Sequence, residues 1–297
     1  MTVTPNRAAA PGKLALNLTG GRVPTHPVTV YERRDGRLVG RADKLAVEEP
    51  LEIRLADPDG AVSTLSITMR TPGHDFELVA GFLLSEGVIS SREDVRKIAY
   101  CLDEDLDPEQ RYNVVTAELV GDAGRASVER MVMTSSACGV CGSASIEAVH
   151  LAGHPAILDG PQISFALLSQ FPDRLRSGQR AFSATGGLHG IALIEPDGAV
   201  VCLREDVGRH NAVDKVLGWA MLQGRLPLSE MTLMVSGRIS FEIVQKALRA
   251  GIPIVAAVSA ATSLAVRLAE ESGMTLVGFL RGESCAVYAG RSRIITA

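Results

Sequence analysis

Alternation opens the readable part of the chain. Residues 28–32 alternate between apolar and polar, Asp35-Gly36 supplies a turn, and 51–55 alternate again. That is the two-residue period of a half-buried strand. A second Asp-Gly pair at 59–60 leads into another alternating run over 61–69. The period then changes. Phe76, Val79, Ala80, Leu83 and Leu84 share one helical stripe, Asp75 stands where an N-cap would, and Gly87 ends the helix. Residues 88–133 predict short strands with polar interruptions. A loop of small residues follows, and then a short helix over 145–151.

From Ser164 onward the pattern changes again. Ser164 is placed to cap a helix running to about Arg176. Runs 188–195 and 199–204 flank Pro196-Asp197-Gly198 and predict a hairpin. A helix over 208–222 comes next. Strands at 232–235, 252–258 and 275–280 then alternate with helices at 240–250 and 262–271, and a last strand falls at 285–289. A hairpin followed by β-α-β-α-β predicts a mixed sheet with helices on its faces. The expected organisation is a β-rich N-terminal part over 28–135, a cysteine loop and connector over 136–160, and an α/β part over 161–297. Residues 1–27, rich in Pro, Gly, Thr and Ala without periodicity, are expected to be a flexible tail.

Composition narrows the function classes. The 297 residues are 46% hydrophobic and 22% charged with a net charge of −4, so no global basic field draws nucleic acid. Aromatic residues make up 4%, which argues against base-stacking platforms for single strands. The most apolar run, 252–261, is too short to span a membrane and contains Pro253, so no membrane partner is expected. Five cysteines in a chain this long do not form a disulfide framework, and the expected location is the cytoplasm.

The candidate chemistry is Cys138-Gly139-Val140-Cys141. A thiol just before a helix meets unpaired N–H groups and the positive end of the helix dipole, which favours thiolate. Lowering a thiol from about 8.5 to about 7 raises the thiolate fraction at neutral pH from roughly 3% to roughly half. Gly139 and Gly142 leave room for a large partner. A structural zinc site needs a second ligand pair, and the sequence has no other Cys-X-X-Cys; no metal is expected. Cys101, Cys202 and Cys285 read as small buried hydrophobes. A dithiol oxidoreductase remains an alternative on spacing alone.

Met133-Thr-Ser-Ser-Ala-Cys138-Gly-Val-Cys141-Gly resembles the cysteine loop of the FdhD family, the formate dehydrogenase accessory sulfurtransferases. Further stretches match in order, among them those beginning at Arg70, Thr185, Arg204, Val235, Ala257 and Gly278. The resemblance covers about residues 28–297. It implies a fold whose C-terminal part is a cytidine-deaminase-like α/β/α sandwich. It also implies transfer of persulfide sulfur from an IscS-type cysteine desulfurase to the bis-molybdopterin guanine dinucleotide cofactor, which then enters formate dehydrogenase. The sulfur-carrying cysteine falls on Cys138, with Cys141 beside it as a resolving or assisting thiol. The cofactor-contacting loop falls on Phe279, Leu280, Arg281, Gly282, Glu283 and Ser284. This chain reads Arg-Gly-Glu-Ser where relatives often have Lys-Pro-Gly-Arg, so Glu283 places an acid in that loop. Deamination itself is not expected. No His is followed two residues on by Glu, and Ala137 stands where the deaminase signature has Pro.

A cofactor with two pyrophosphates calls for helix starts and arginines. Three further loops qualify: Arg209 and His210 at a helix start, Ser236-Gly237-Arg238 between strand and helix, and Ser259 to Thr262 after the next strand. Each has a plainer reading. Arg209 could pair with Asp206 or Asp214, Ser259 and Thr262 could cap a helix, and His189 and His210 could be ordinary hydrogen-bonded histidines. GDP is expected to bind as a fragment of the cofactor, and a homodimer is expected. The rival of another class is a cofactor-binding chaperone in which the cysteines are incidental.

Overall fold

A computed structural model of the chain describes residues 23–56, 60–101, 112–120, 156–157 and 159–296. Cys138, Cys141, the expected helix over 145–151 and residues 1–22 of the expected tail lie outside the described residues.

The alternating runs become strands. β1 (Thr25–Arg34) and β2 (Arg37–Ala46) pair as an antiparallel ribbon. Its turn is Asp35-Gly36, both at positive φ, as a two-residue hairpin of this twist requires. The returning strand was not legible, because residues 37–46 carry Arg, Asp and Lys without alternation and are largely exposed. β3 (Glu49–Ala56), β4 (Val62–Arg70), β5 (Val95–Tyr100) and β6 (Val114–Leu119) form a second sheet in the order β4-β3-β6-β5.

The main sheet has six strands in the order β13-β12-β11-β10-β8-β9. β8 (His189–Ile194) and β9 (Val200–Asp206) are the expected hairpin, turned at Asp197, whose carboxylate accepts from Ala199 N at 2.8 Å, and Gly198 at positive φ. β10 (Thr232–Val235), β11 (Ile254–Ala257) and β12 (Thr275–Arg281) run parallel, and β13 (Ser284–Ala289) returns antiparallel to β12. The remaining strands, β7 (Ile163–Ser164) and β14 (Ile294–Ile295), pair parallel with each other.

The period of two decides the layers. Leu233, Val235, Val255 and Ala257 join the larger core on one face, while Met234, Ile254 and Ala256 join a smaller core on the other. The larger core lies beneath α5 (Arg209–Leu222), α6 (Phe241–Arg249) and α7 (Ser263–Ser272). It continues into the second sheet through Leu51, Ile53 and Val115. The smaller core packs under Leu168, Phe171 and Leu175 of the opposite helical layer. Helices on both faces of a mixed sheet are what β-α-β-α-β predicted.

Two elements depart from expectation. The single helix expected from Ser164 is three pieces: α2 (Phe165–Leu168), α3 (Phe171–Gly178) and α4 (Arg180–Thr185). Pro172 is the cause of the first break, since proline fits a helix's first turn but not its interior. Ser164 does cap α2, its hydroxyl accepting from Leu167 N at 3.2 Å. Replacing it with Ala is expected to cost about 1 kcal/mol, read as a shift in the urea midpoint. The second departure is α1 (Asp75–Ser85), which is buried nearly all round instead of along one stripe. It lies between the second sheet and α5. Asp75 does not cap it: His74 holds that position at positive φ, and the Asp75 carboxylate takes Arg70 in a bidentate pair at 2.9 and 3.0 Å.

Candidate functional site

The loops singled out in the sequence end at one edge of the main sheet, because the carboxyl ends of β10, β11 and β12 face the same way. Hydrogen bonds join them. Val258 N donates to Val235 O at 3.2 Å, and Phe279 N donates to Ser259 O at 3.0 Å. Arg281 Nε donates to Val258 O at 3.1 Å. Ile239 N donates to Ala260 O, and Thr262 N returns to Ile239 O, each at 3.0 Å.

Residues of this edge differ in what they can offer a ligand. Ser236 is engaged, its hydroxyl accepting from Gly190 N at 2.9 Å and so holding the turn to β8. Gly237 stands against His189, whose Nδ1 would be 3.2 Å from a Cβ there. Arg238 is exposed. Thr262 occupies the N-cap position of α7, yet its hydroxyl makes no cap hydrogen bond. In the hairpin from β12 to β13, Arg281, Gly282, Glu283 and Ser284 are exposed, whereas Leu280 is fully buried in the smaller core and offers a ligand only its main chain. Phe279 holds a left-handed conformation at φ 50° while its side chain is 46% exposed. An aromatic residue with positive φ and a solvent-facing ring marks a backbone shaped for something other than packing.

At the start of α5 the plain reading of Arg209 does not hold. Asp206 is bound by Lys215 Nζ at 2.7 Å and Asp214 by Lys246 Nζ at 2.7 Å. Arg209 Nε is buried and has no hydrogen-bond partner among the described residues. The fully buried Asp206 shapes this loop by accepting from Gly208 N at 2.8 Å and Thr71 N at 3.2 Å. His210 is the ordinary hydrogen-bonded histidine, its Nε2 lying 2.9 Å from Ser240 Oγ at the cap of α6. Burial and the nearby Arg209 cation both push His189 and His210 below the usual imidazole range, so both are neutral at pH 7.

Several charged residues of the matching stretches are joints of the fold. Glu77 of α1 pairs with Arg204 of β9, Nη2 to Oε1 being 2.8 Å. Ser85 Oγ donates to Asp214 at 2.7 Å, and Lys215 Nζ to Thr71 O at 2.8 Å. Burial alone would raise the Glu77 carboxyl, but the Arg204 guanidinium overcomes it and holds the group below its ordinary range. A depressed carboxyl stabilises the fold above its unfolded value of about 4.3, and that contribution is lost as pH falls through the folded value. The urea midpoint of the natural chain is therefore expected to drop between pH 5 and pH 3 more steeply than that of Glu77→Gln. Parallel pH profiles would remove this role.

Beside the sheet edge lies a cavity of about 590 Å³, with Leu175, Gln179 and Phe182 on the helical side and Leu188, His189, Ser236 and Val258 on the sheet side. Of its helical-side residues, none was expected from the sequence to meet a ligand. Gln179 sits among polar neighbours at the junction of two short helices, where no periodicity marks it as buried. The three other thiols divide by burial. Cys202 is 4% exposed and burial pushes its thiol up to about 12, so it is inert, while Cys101 and Cys285 are half-buried.

Residues 46–295 match the model of the FdhD/NarQ family. The chain is 51% identical over 278 residues to the "Sulfur carrier protein FdhD" of Streptomyces coelicolor, covering 92% of this chain and 96% of that one. It is 52% identical over 263 residues to the protein of that name from Mycolicibacterium paratuberculosis, covering 87% and 94%. It is 41% identical over 268 residues to the one from Sulfurisphaera tokodaii, covering 90% and 98%. Among solved structures it resembles a protein from Desulfotalea psychrophila assigned as a formate dehydrogenase accessory protein, with a TM-score of 0.70 and 26% identity over 92% of this chain and 100% of that one.

Proposed function

The chain belongs to the FdhD/NarQ family, and on that premise we propose that it is a sulfur carrier acting in the maturation of formate dehydrogenase. The observation that carries this reading is the extent of the match. It spans residues 46–295, including Cys138 and Cys141, and the relatives at about half identity bear the name sulfur carrier protein. No described helix is long and apolar enough to cross a membrane, which accords with a carrier that works in the cytoplasm.

Cys138 is the carrier thiol in this reading. Its thiolate attacks the outer sulfur of a cysteine persulfide on an IscS-type desulfurase. The donor's S–S bond breaks, the donor leaves as thiolate, and Cys138 becomes a persulfide. Attack of the Cys141 thiolate on the Cys138 sulfur then expels hydrosulfide and leaves a Cys138–Cys141 disulfide. The acceptor is the bis-molybdopterin guanine dinucleotide cofactor, taken as substrate at the carboxyl edge of the main sheet. Its phosphates suit the Ser236–Arg238 turn, the start of α7 and the Phe279–Ser284 hairpin. The helices on both faces of the mixed sheet support the likeness to a cytidine deaminase sandwich, and the active form is read as a homodimer. Incubation with desulfurase and cysteine, followed by peptide mass mapping, is expected to find one extra sulfur atom on Cys138. Added sulfur on another residue, or none, would refute the assignment.

GDP is the fragment with which to probe the phosphate site. It is expected to bind more tightly than GMP, because the diphosphate is what the helix starts and arginines grip. Arg238→Ala and Arg281→Ala each remove a charge-assisted hydrogen bond worth about 1.5–3 kcal/mol, or roughly tenfold to a hundredfold in affinity. Lys at either position restores charge but not the forked geometry, so recovery is expected to be partial. Unchanged titration isotherms for both Ala variants would move the site elsewhere.

A further inference from the structure

No residue of the ribbon formed by β1 and β2 is buried. A two-stranded ribbon alone is marginally stable in water and persists where something packs against it. Here the support is at the base. Val47 N donates to Pro24 O at 2.9 Å, the strands pack against α4, and a Cβ on Gly187 would lie 3.4 Å from Ala46 Cβ. From that base the strands run ten residues each, an arm of about 30 Å at about 3.4 Å per residue.

Register sorts the charges of the arm by face. Residues directly opposite one another point to the same side, and neighbours along a strand alternate. Glu32 and Asp43 lie on one face, and both are taken. Glu32 pairs with Arg34 at 3.0 Å and Arg41 at 3.1 Å, and Arg41 pairs with Asp43 at 3.1 Å. Tyr31, Arg33, Leu38 and Lys44 share the other face, which holds no acid. Neither Arg33 nor Lys44 has an ion pair among the described residues. Tyr31 and Leu38 are 72% and 71% exposed. They are diagonal neighbours, since Tyr31 stands opposite Gly40 and Leu38 opposite Arg33. The Tyr31 ring lies over Gly40, 3.6 Å from where a Cβ would sit. One face of the arm therefore presents an aromatic ring and a leucine together, flanked by two cations without acidic partners.

Such a face fits a protein surface that is acidic with apolar spots. It does not fit itself, because a two-fold contact with its own copy brings cation onto cation.

We propose that this face of the ribbon docks the unmatured formate dehydrogenase, through an acidic surface with apolar spots on that enzyme. The inference rests on the carrier reading above and adds the surface that receives the client. Position favours the client over the sulfur donor. The base of the arm abuts Gly187, which lines the cavity beside the sheet edge. An enzyme held by the arm stands next to the edge from which the cofactor departs, whereas the donor has only to reach Cys138.

The test is titration of formate dehydrogenase, purified from cells lacking this protein, against the full chain and three single variants. Leu38→Ser and Arg33→Glu alter the proposed face, and Val39→Ser removes an exposed apolar side chain from the opposite face. Val39→Ser is expected to bind as the natural chain does, and the other two at least about tenfold more weakly. Added salt is expected to weaken the natural chain more than Arg33→Glu. Melting, oligomeric state and desulfurase-dependent sulfur on Cys138 are expected to be unchanged in all three, because residues 33, 38 and 39 are exposed. Unchanged affinity in either face variant, or an equal loss in Val39→Ser, overturns the docking face and leaves the carrier reading standing. So does a natural chain that gains sulfur yet binds no dehydrogenase. Lost sulfur loading with dehydrogenase binding intact would assign the face to the donor, and a changed oligomeric state would assign it to a second copy; either result overturns the proposal. If the natural chain gains no sulfur on Cys138, the carrier reading falls and this inference falls with it.

Discussion

Cells whose sole copy of this protein carries Cys138→Ala are expected to have no formate dehydrogenase activity, while the purified variant melts as the natural chain does. The change removes one sulfur atom and adds no bulk. It leaves the ion pairs among α1, α5, α6 and β9 intact, because none of them involves residue 138. What it removes is the nucleophile of the proposed transfer; among the thiols outside the Cys138–Cys141 pair, Cys202 is buried with its thiol pushed up to about 12, and burial also raises that of Cys285. Cys141→Ala is expected to be milder, because an external reductant can release the sulfur in its place. Two measurements decide the matter, activity in cell extracts and desulfurase-dependent mass gain. Full activity with Cys138→Ala would end the persulfide carrier reading.

Gly218→Ala is expected to abolish folding or to cost about 3–5 kcal/mol, a large part of the stability of an ordinary domain. Helices α1 and α5 cross with their backbones in contact. A Cβ on Gly218 would collide with the carbonyl of Glu77, and one on Gly81 with the carbonyl of Asp214. Both obstacles are main chain, so no rotamer change relieves either clash. Separating the helices would also pull apart Glu77 and Arg204 and draw Ser85 away from Asp214. Breaking a buried pair leaves an uncompensated charge, which adds to the packing cost. Gly81→Ala should behave in the same way, and Gly36→Ala, in an exposed turn with nothing near its Cβ, should cost far less. Urea midpoints near that of the natural chain for both helix variants would show that the crossing is not tight.

How much was legible follows from the range of each interaction. The α/β order from 188 to 289 was readable because strands and helices announce themselves through local period, and Pro196-Asp197-Gly198 and Ser164 act within a few residues of themselves. The return strand β2 was not readable, because a ribbon exposed on both faces has no reason to alternate. The break at Pro172 could have been placed, since proline in the body of a helix run signals a new start. The sheet-edge candidates were chosen as the loops after successive strands, and the parallel pairing of β10, β11 and β12 brings those loops to one edge.

Local pattern is enough for the element order from 188 to 289, the two-residue and helical periods, the position of the Cys138–Cys141 pair and the family. All are properties of neighbouring residues or of motifs compared as strings. Tertiary structure alone decided which charged residues of those motifs are left for a ligand. Asp206, Asp214 and Glu77 are taken by Lys215, Lys246 and Arg204, while Arg209 keeps a buried nitrogen without a partner among the described residues. It also decided that Gln179 faces a cavity and that Gly81 and Gly218 hold two helices together. The physical reason is distance along the chain. Glu77 and Arg204 are 127 positions apart, so their pairing leaves no trace in local pattern and exists only once α1 has packed against α5 and β9.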